Sequence, residues 1–140
     1  MIPVPLFLSL TLAVVITASS AHAGTDYRCV VERIYDADGD KSKLIDGERK
    51  LFIGKEFTVD RKSGVMIGAL KNSYMTEPVV IDHGSKDNSF KAVTTMRRDQ
   101  GVGAGSAVFT LVIKEYADPP QKPFAFLADG TVFFGSCVHF

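Results

Sequence analysis

The chain of 140 residues predicts an all-β domain: a small antiparallel barrel of seven or eight strands, with a β-sandwich as the alternative architecture. Three observations predict it. Apolar residues recur with period two along most of the chain, and a helical period is nearly absent. Clusters of Gly, Asp, Asn and Ser break the alternating runs at short intervals. Two cysteines, Cys29 and Cys137, stand near the two ends of the alternating region.

A leader precedes the first strand. Residues Ile2 to Ile16 are almost wholly apolar, Thr17 to Ser20 are more polar, and Ala21-His22-Ala23 places small residues where a signal peptidase reads. This is the layout of a secretory signal peptide, with removal expected after Ala23, although no Lys or Arg precedes the apolar run. The run is shorter than the roughly 20 residues a membrane-spanning helix needs. The expected organisation is a signal at 1–23 and a single β domain at 24–140, secreted or periplasmic, with no stable membrane anchor after signal removal.

The strands follow in order. Tyr27 to Ile34 puts Tyr27, Cys29 and Val31 on one face. Lys43 to Ile53 is ambiguous: Leu44-Ile45 and Leu51-Phe52-Ile53 fit short strands or a helical turn. Phe57-Thr58-Val59 and Val65-Met66-Ile67 flank a hairpin loop in which Gly64 is free to take a positive φ. Val79 to Asp82 is short and ends at His83-Gly84-Ser85. Phe90 to Met96 alternates apolar with polar residues, as a half-buried strand does. Ala107 to Tyr116 is apolar on both faces for much of its length and reads as a central or doubly covered strand. Phe124 to Ala128 and Thr131 to Phe140 form a hairpin around Asp129-Gly130, a strong two-residue turn signal. In its second arm Phe133, Gly135, Cys137 and His139 share one face, and Gly135 marks a bend or bulge.

Two cysteines in an exported chain have one intramolecular pairing, and no Cys-x-x-Cys redox motif occurs. A Cys29–Cys137 disulfide needs the first and last strands side by side, within about 7 Å between Cα atoms. An up-and-down barrel supplies that adjacency directly.

Sixteen basic and sixteen acidic residues cancel, so nothing in the charge favours nucleic acid or an anionic membrane surface. Asp36, Asp38 and Asp40, around Gly39, offer alternate carboxylates suited to calcium. The pattern departs from the helix-flanked calcium loop, with Lys41 where glycine belongs and Gly47 where the bidentate Glu belongs. No other cofactor is implied. Gly101, Gly103 and Gly105 lack the Lys and following helix of a phosphate loop; they read as a flexible connection able to meet a ligand or partner. His83 falls in a turn and joins them as a loop candidate, while His139 is penultimate. No Gly-x-Ser-x-Gly motif is present, and no catalytic residue is assigned. Phe124, Phe126, Phe133, Phe134 and Phe140 crowd one hairpin, most of them as core.

In overall look the chain is similar to small secreted bacterial β-barrel proteins, including the periplasmic inhibitors of lysozyme. The similarity is architectural, covers no motif and transfers no residue role. The expected function is therefore that of an exported, non-enzymatic binding protein, inhibitor-like, acting on an unknown protein through loops or an exposed sheet face. A carrier of a small apolar ligand is the alternative, and a hydrolase with an unrecognised site comes third.

Overall fold

In a computed structural model of the chain, residues 25–39, 43–100 and 105–140 are described. The expected signal at 1–23, Asp40, Gly101 and Gly103 lie outside them. Eight strands and one helix follow in the order β1 (Tyr27–Asp36), α1 (Lys43–Phe52), β2 (Glu56–Val59), β3 (Met66–Gly68), β4 (Val79–His83), β5 (Phe90–Met96), β6 (Ala107–Ile113), β7 (Lys122–Ala128) and β8 (Thr131–His139).

All eight strands belong to one antiparallel sheet in the order β3-β2-β1-β8-β7-β6-β5-β4. This is the circular order of an up-and-down barrel with its ladder open between β3 and β4. The domain is thus a curled half-barrel, and a two-sheet sandwich is ruled out. Closure takes another form. Gly64, at φ +78°, would bring a Cβ to 3.0 Å from Ala92 Cβ and 3.1 Å from Val80 Cγ2, so the turn before β3 packs directly on β4 and β5. Asn72 is buried and runs along β3: its Oδ1 accepts from Met66 N at 2.9 Å and its Nδ2 donates to the Gly64 carbonyl at 2.9 Å. A side-chain amide thereby stands in for the missing neighbouring strand.

Period-two patterning sends Tyr27, Cys29, Val31, Phe57, Val59, Phe90, Ala92, Leu111, Ile113, Phe124, Phe126 and Phe133 to the concave side, where they form one buried cluster. Aromatic pairs knit it together, with Phe57 edge-on to Phe124 at 5.1 Å and Phe126 at 6.0 Å from Phe133. The interior is filled by the protein's own side chains, as in other small barrels.

Cys29 and Cys137 are directly opposed in the β1–β8 ladder, with Cα atoms 3.9 Å apart, and their disulfide joins the first and last strands. One turn-free step further along β1 the register shifts between Val31 and Arg33, a β-bulge. Gly135 lies opposite it. A Cβ at Gly135 would overlap the Val30 carbonyl oxygen and stand 2.7 Å from Phe124 Cε1, so only glycine lets the two strands approach there.

Two open readings are resolved. Of short strands or a helical turn at 43–53, the helical one holds: Lys43–Phe52 is helix α1. Its charges suit a helix: Asp46 lies in the first turn, Arg49 and Lys50 in the last, and Arg49 pairs with Asp46 at 3.6 Å. Phe52 anchors it, edge-on to Phe133 at 5.4 Å. Strand β6 is central in the sheet but not doubly covered. Its inward residues Leu111 and Ile113 are buried, while outward Val108 is 46 % exposed.

Candidate functional site

Pairing Cys29 with Cys137 sets the register, and two residues further towards the chain ends it opposes Tyr27 to His139. A polar cluster is built on this pair. The Tyr27 hydroxyl donates to Glu115 Oε2 at 2.7 Å, and His139 Nε2 lies 2.8 Å from Glu115 Oε1. The Tyr27 and His139 rings are 4.8 Å apart, and His139 Nδ1 meets the Thr25 carbonyl at 3.1 Å. Arg61, from the β2–β3 turn, lies over the Tyr27 ring at 5.7 Å. Its guanidinium donates to the carbonyls of His83 at 2.7 Å and Gly84 at 2.9 Å, which ties that turn to the end of β4.

Glu115 owes its position to the turn after β6. Lys122 is buried and donates to the carbonyls of Glu115 at 2.7 Å and Ala117 at 2.6 Å, holding that turn against the barrel end. Burial alone pushes the Glu115 carboxyl up. The hydrogen bonds from Tyr27 and His139, with the charges of His139 and Arg61, outweigh it and hold the group below its usual value. Burial, the bond to Glu115 and that carboxylate's charge push the Tyr27 phenol above its usual value, with Arg61 acting the other way. A phenol kept protonated is a donor and a poor base. Both Glu115 oxygens and both His139 ring nitrogens are already engaged by the protein, so the arrangement works chemically as a latch across the barrel end.

Beside it lies a shallow, open depression of about 410 Å³ lined by Thr25, Arg61, Lys62 and His83. His83, a loop candidate in the sequence, is the last residue of β4; its Nδ1 meets the Arg61 carbonyl at 3.1 Å. The depression does not include His139.

The carboxylate loop is used locally. Asp36 Oδ1 accepts from Asp38 N at 3.0 Å and Oδ2 accepts from Thr131 Oγ1 at 3.1 Å, so Asp36 caps its own turn and fastens it to β8. Asp38 is exposed. Among the described residues no group of three or more His, Cys, Asp or Glu gathers as a metal site would require. Gly105 is exposed, with open space around its Cα. The structure therefore brings His83 to the polar end of the barrel and leaves Asp36, Asp38 and Gly105 apart from it.

The second candidate is the outward face. Val79, Val93, Thr110, Leu127, Val132 and Tyr35 form one registered row across six strands from β4 to β1. A second row runs through Lys91, Val112, Ala125, Phe134 and Arg33. Val79 is 65 % and Tyr35 47 % exposed at the ends of the first row, and the residues between them are half-buried. Sequence reasoning placed Phe134 and Val132 on the face away from the cysteines but did not join these rows, because registers across six strands are set by pairing and not by period. No family model, curated protein or solved structure matches this chain. No helix among the described residues is long and apolar enough to cross a membrane.

Proposed function

We propose that this chain is an exported, non-enzymatic binding protein that engages another protein through the outward face of its half-barrel. The observation that carries the reading is the row from Val79 to Tyr35, apolar at every strand but for Thr110 on β6, on the outward face that an ordinary solvated sheet fills with polar residues. Tyrosine, phenylalanine and arginine in and beside that row are the residues that anchor protein interfaces. Export is supported by the leader at 1–23 and by a disulfide of the kind that persists in oxidising compartments. The filled interior weighs against an apolar-ligand carrier, and the self-satisfied Tyr27–Glu115–His139 cluster weighs against a hydrolase.

The test is site-directed photo-crosslinking in the exported fraction of the native cell. A photo-reactive phenylalanine replaces Tyr35, Leu127 or, as control, Lys86 in the turn after β4. One and the same protein captured at 35 and 127 but not at 86 is the expected result. Capture of nothing at 35 and 127, or of the same set of proteins at all three positions, overturns the reading.

A further inference from the structure

The outward face carries a built feature at its centre. Ala125 lies between Val112 and Phe134 in the second row, and the small side chain between two larger ones leaves a groove of about 260 Å³. Pro123 continues the apolar lining, and Arg33 and Lys114 complete it. The Arg33 guanidinium stacks over the Phe134 ring at 5.4 Å. Among the described residues neither Arg33 nor Lys114 has a carboxylate partner. Nearby, Lys91 pairs with Asp82 at 3.6 Å, and Glu32 keeps its negative charge while accepting from the neutral Ser136 Oγ at 2.6 Å. Among the described residues, two cations outside ion-pair distance of any carboxylate thus flank an apolar floor, with the Glu32 carboxylate next to Arg33 in sequence held by a hydroxyl.

Size and charge together define what fits. Small-molecule sites run to about 300–1,000 Å³ and enclose most of their ligand. This groove is smaller and open to solvent along the sheet, which suits one protruding side chain. An arginine stacked on a phenylalanine beside an apolar pocket is the composition of an interface anchor point. A carboxylate arriving next to the anchor gains two charge-assisted bonds that this chain itself leaves unmade.

We infer that this groove receives one aromatic or branched aliphatic side chain from an acidic segment of a protein partner, whose carboxylates pair with Arg33 and Lys114. The inference rests on the binding reading above and names the chemistry of that partner.

The experiment uses the disulfide-bonded domain, labelled with ¹⁵N, and the probe peptide acetyl-Glu-Glu-Phe-Glu-Glu-amide. The expected result is saturable movement of the Val112, Ala125, Phe134 and Gly135 amide signals at millimolar peptide. Affinity should fall about fivefold or more when the peptide's Glu residues become Lys, or its Phe becomes Ala. It should fall similarly when salt at about 1 M shortens the screening length to about 3 Å. Arg33→Ala with Lys114→Ala should weaken binding about fivefold. Ala125→Phe, which fills the groove from the solvent side, should abolish the movement while the remaining amide signals stay in place. Equal response to the Glu and Lys peptides, movement confined to another face, or no movement at about 5 mM peptide overturns the inference. If the peptide fails while crosslinking at 35 and 127 still captures one protein, the groove chemistry is wrong and the binding face stands. If crosslinking also fails, the binding reading falls with it.

Discussion

Tyr27 and Glu115 lie 88 positions apart in the chain and share a 2.7 Å hydrogen bond at the end of the half-barrel. The phenol belongs to the first strand, is fully buried, and packs on Phe90 of β5 at 5.4 Å. The carboxylate belongs to the turn after β6 and also binds His139 of the last strand. One bond network therefore fastens β1, β8 and the β6–β7 turn at a single level, immediately beyond the disulfide.

Tyr27→Phe removes the hydroxyl and keeps the ring. Glu115 is partly exposed and retains its His139 bond, so water can replace the lost donor. The expected cost is about 1–2 kcal/mol, towards the lower part of the range for hydrogen bonds to charged groups. That corresponds to a Tm lower by about 4–8 °C for a domain of this size. Urea unfolding at neutral pH measures it. A loss well above this range would mean that the ring contacts, not the hydroxyl, hold this end.

The same pair sets the pH dependence of stability in two windows. Glu115 has a folded-state pKa below its unfolded value of 4.5. Its contribution is present above that value and is lost as pH falls through the folded-state pKa, because the unfolded chain binds the proton first. Tyr27 is shifted the opposite way, above its unfolded value of 10.0. Its contribution is complete below pH 10.0 and declines as pH rises beyond it. Glu115→Gln should flatten the acid limb, and Tyr27→Phe should flatten the alkaline one. Unfolding free energies across both limbs read each effect separately.

The disulfide closes a loop with a sequence separation of 108 residues. In the chain-entropy model a loop near 100 residues stabilises by about 4.7 kcal/mol, and natural bridges give about 2–5. Verified reduction, or Cys29→Ala with Cys137→Ala, should lower stability within that range. Native-state hydrogen exchange should show the amides of the outer ends of β1 and β8 losing protection together, since Tyr27 opposes His139 in one ladder. An unchanged melt after complete reduction would show that the strand pairing alone holds the two ends.

Much of this framework is legible in the residues. Alternation along Tyr27–Ile34, Phe90–Met96 and Thr131–Phe140 identifies the strands and the inward faces, because burial on one side of a pleat forces period two. The cysteines imply that β1 and β8 are neighbours, and counting two residues outward from them already opposes Tyr27 to His139. What period two cannot supply is which turn reaches that pair. Glu115 and Arg61 arrive from the β6–β7 and β2–β3 turns, and their place depends on how far the sheet curls. Helix α1 is obscured for another reason. Gly47 interrupts it, and Phe52, which packs against the core, sits inside the strand-like run Leu51-Phe52-Ile53, so the helical period competes poorly with period two. The outward rows are hidden because a bulge in β1 and another in β4 shift the registers that align them.

Gly135→Ala tests the close approach of β1 and β8. The added methyl meets the Val30 backbone, which cannot rotate away, and the Phe124 ring behind it. Overpacking of this kind costs about 1–3 kcal/mol, and a clash with backbone belongs at the upper end. Ala125→Gly, one strand away on the open face, should cost under about 1.5 kcal/mol. Denaturant unfolding of both variants compares the two sites directly.

Asn72 is the last and most selective test, because it isolates the open side of the barrel from the rest. Its amide satisfies Met66 N and the Gly64 carbonyl at once, in a buried setting where water has poor access. Asn72→Ala leaves a donor and an acceptor unpaired beside β3, at an expected cost of about 2–4 kcal/mol. Asn72→Asp keeps the acceptor for Met66 N but faces the Gly64 carbonyl with a second acceptor, so it should not rescue stability. Hydrogen exchange gives the decisive signature. The Met66 amide should lose most of its protection in Asn72→Ala, whereas the amides of the β7–β8 ladder should keep their order of exchange, because that ladder carries its own backbone pairing from Lys122↔Cys137 to Ala128↔Thr131. Uniform loss of protection through all eight strands would instead mean that the half-barrel has no independent edge, and that Asn72 closes the sheet as a whole.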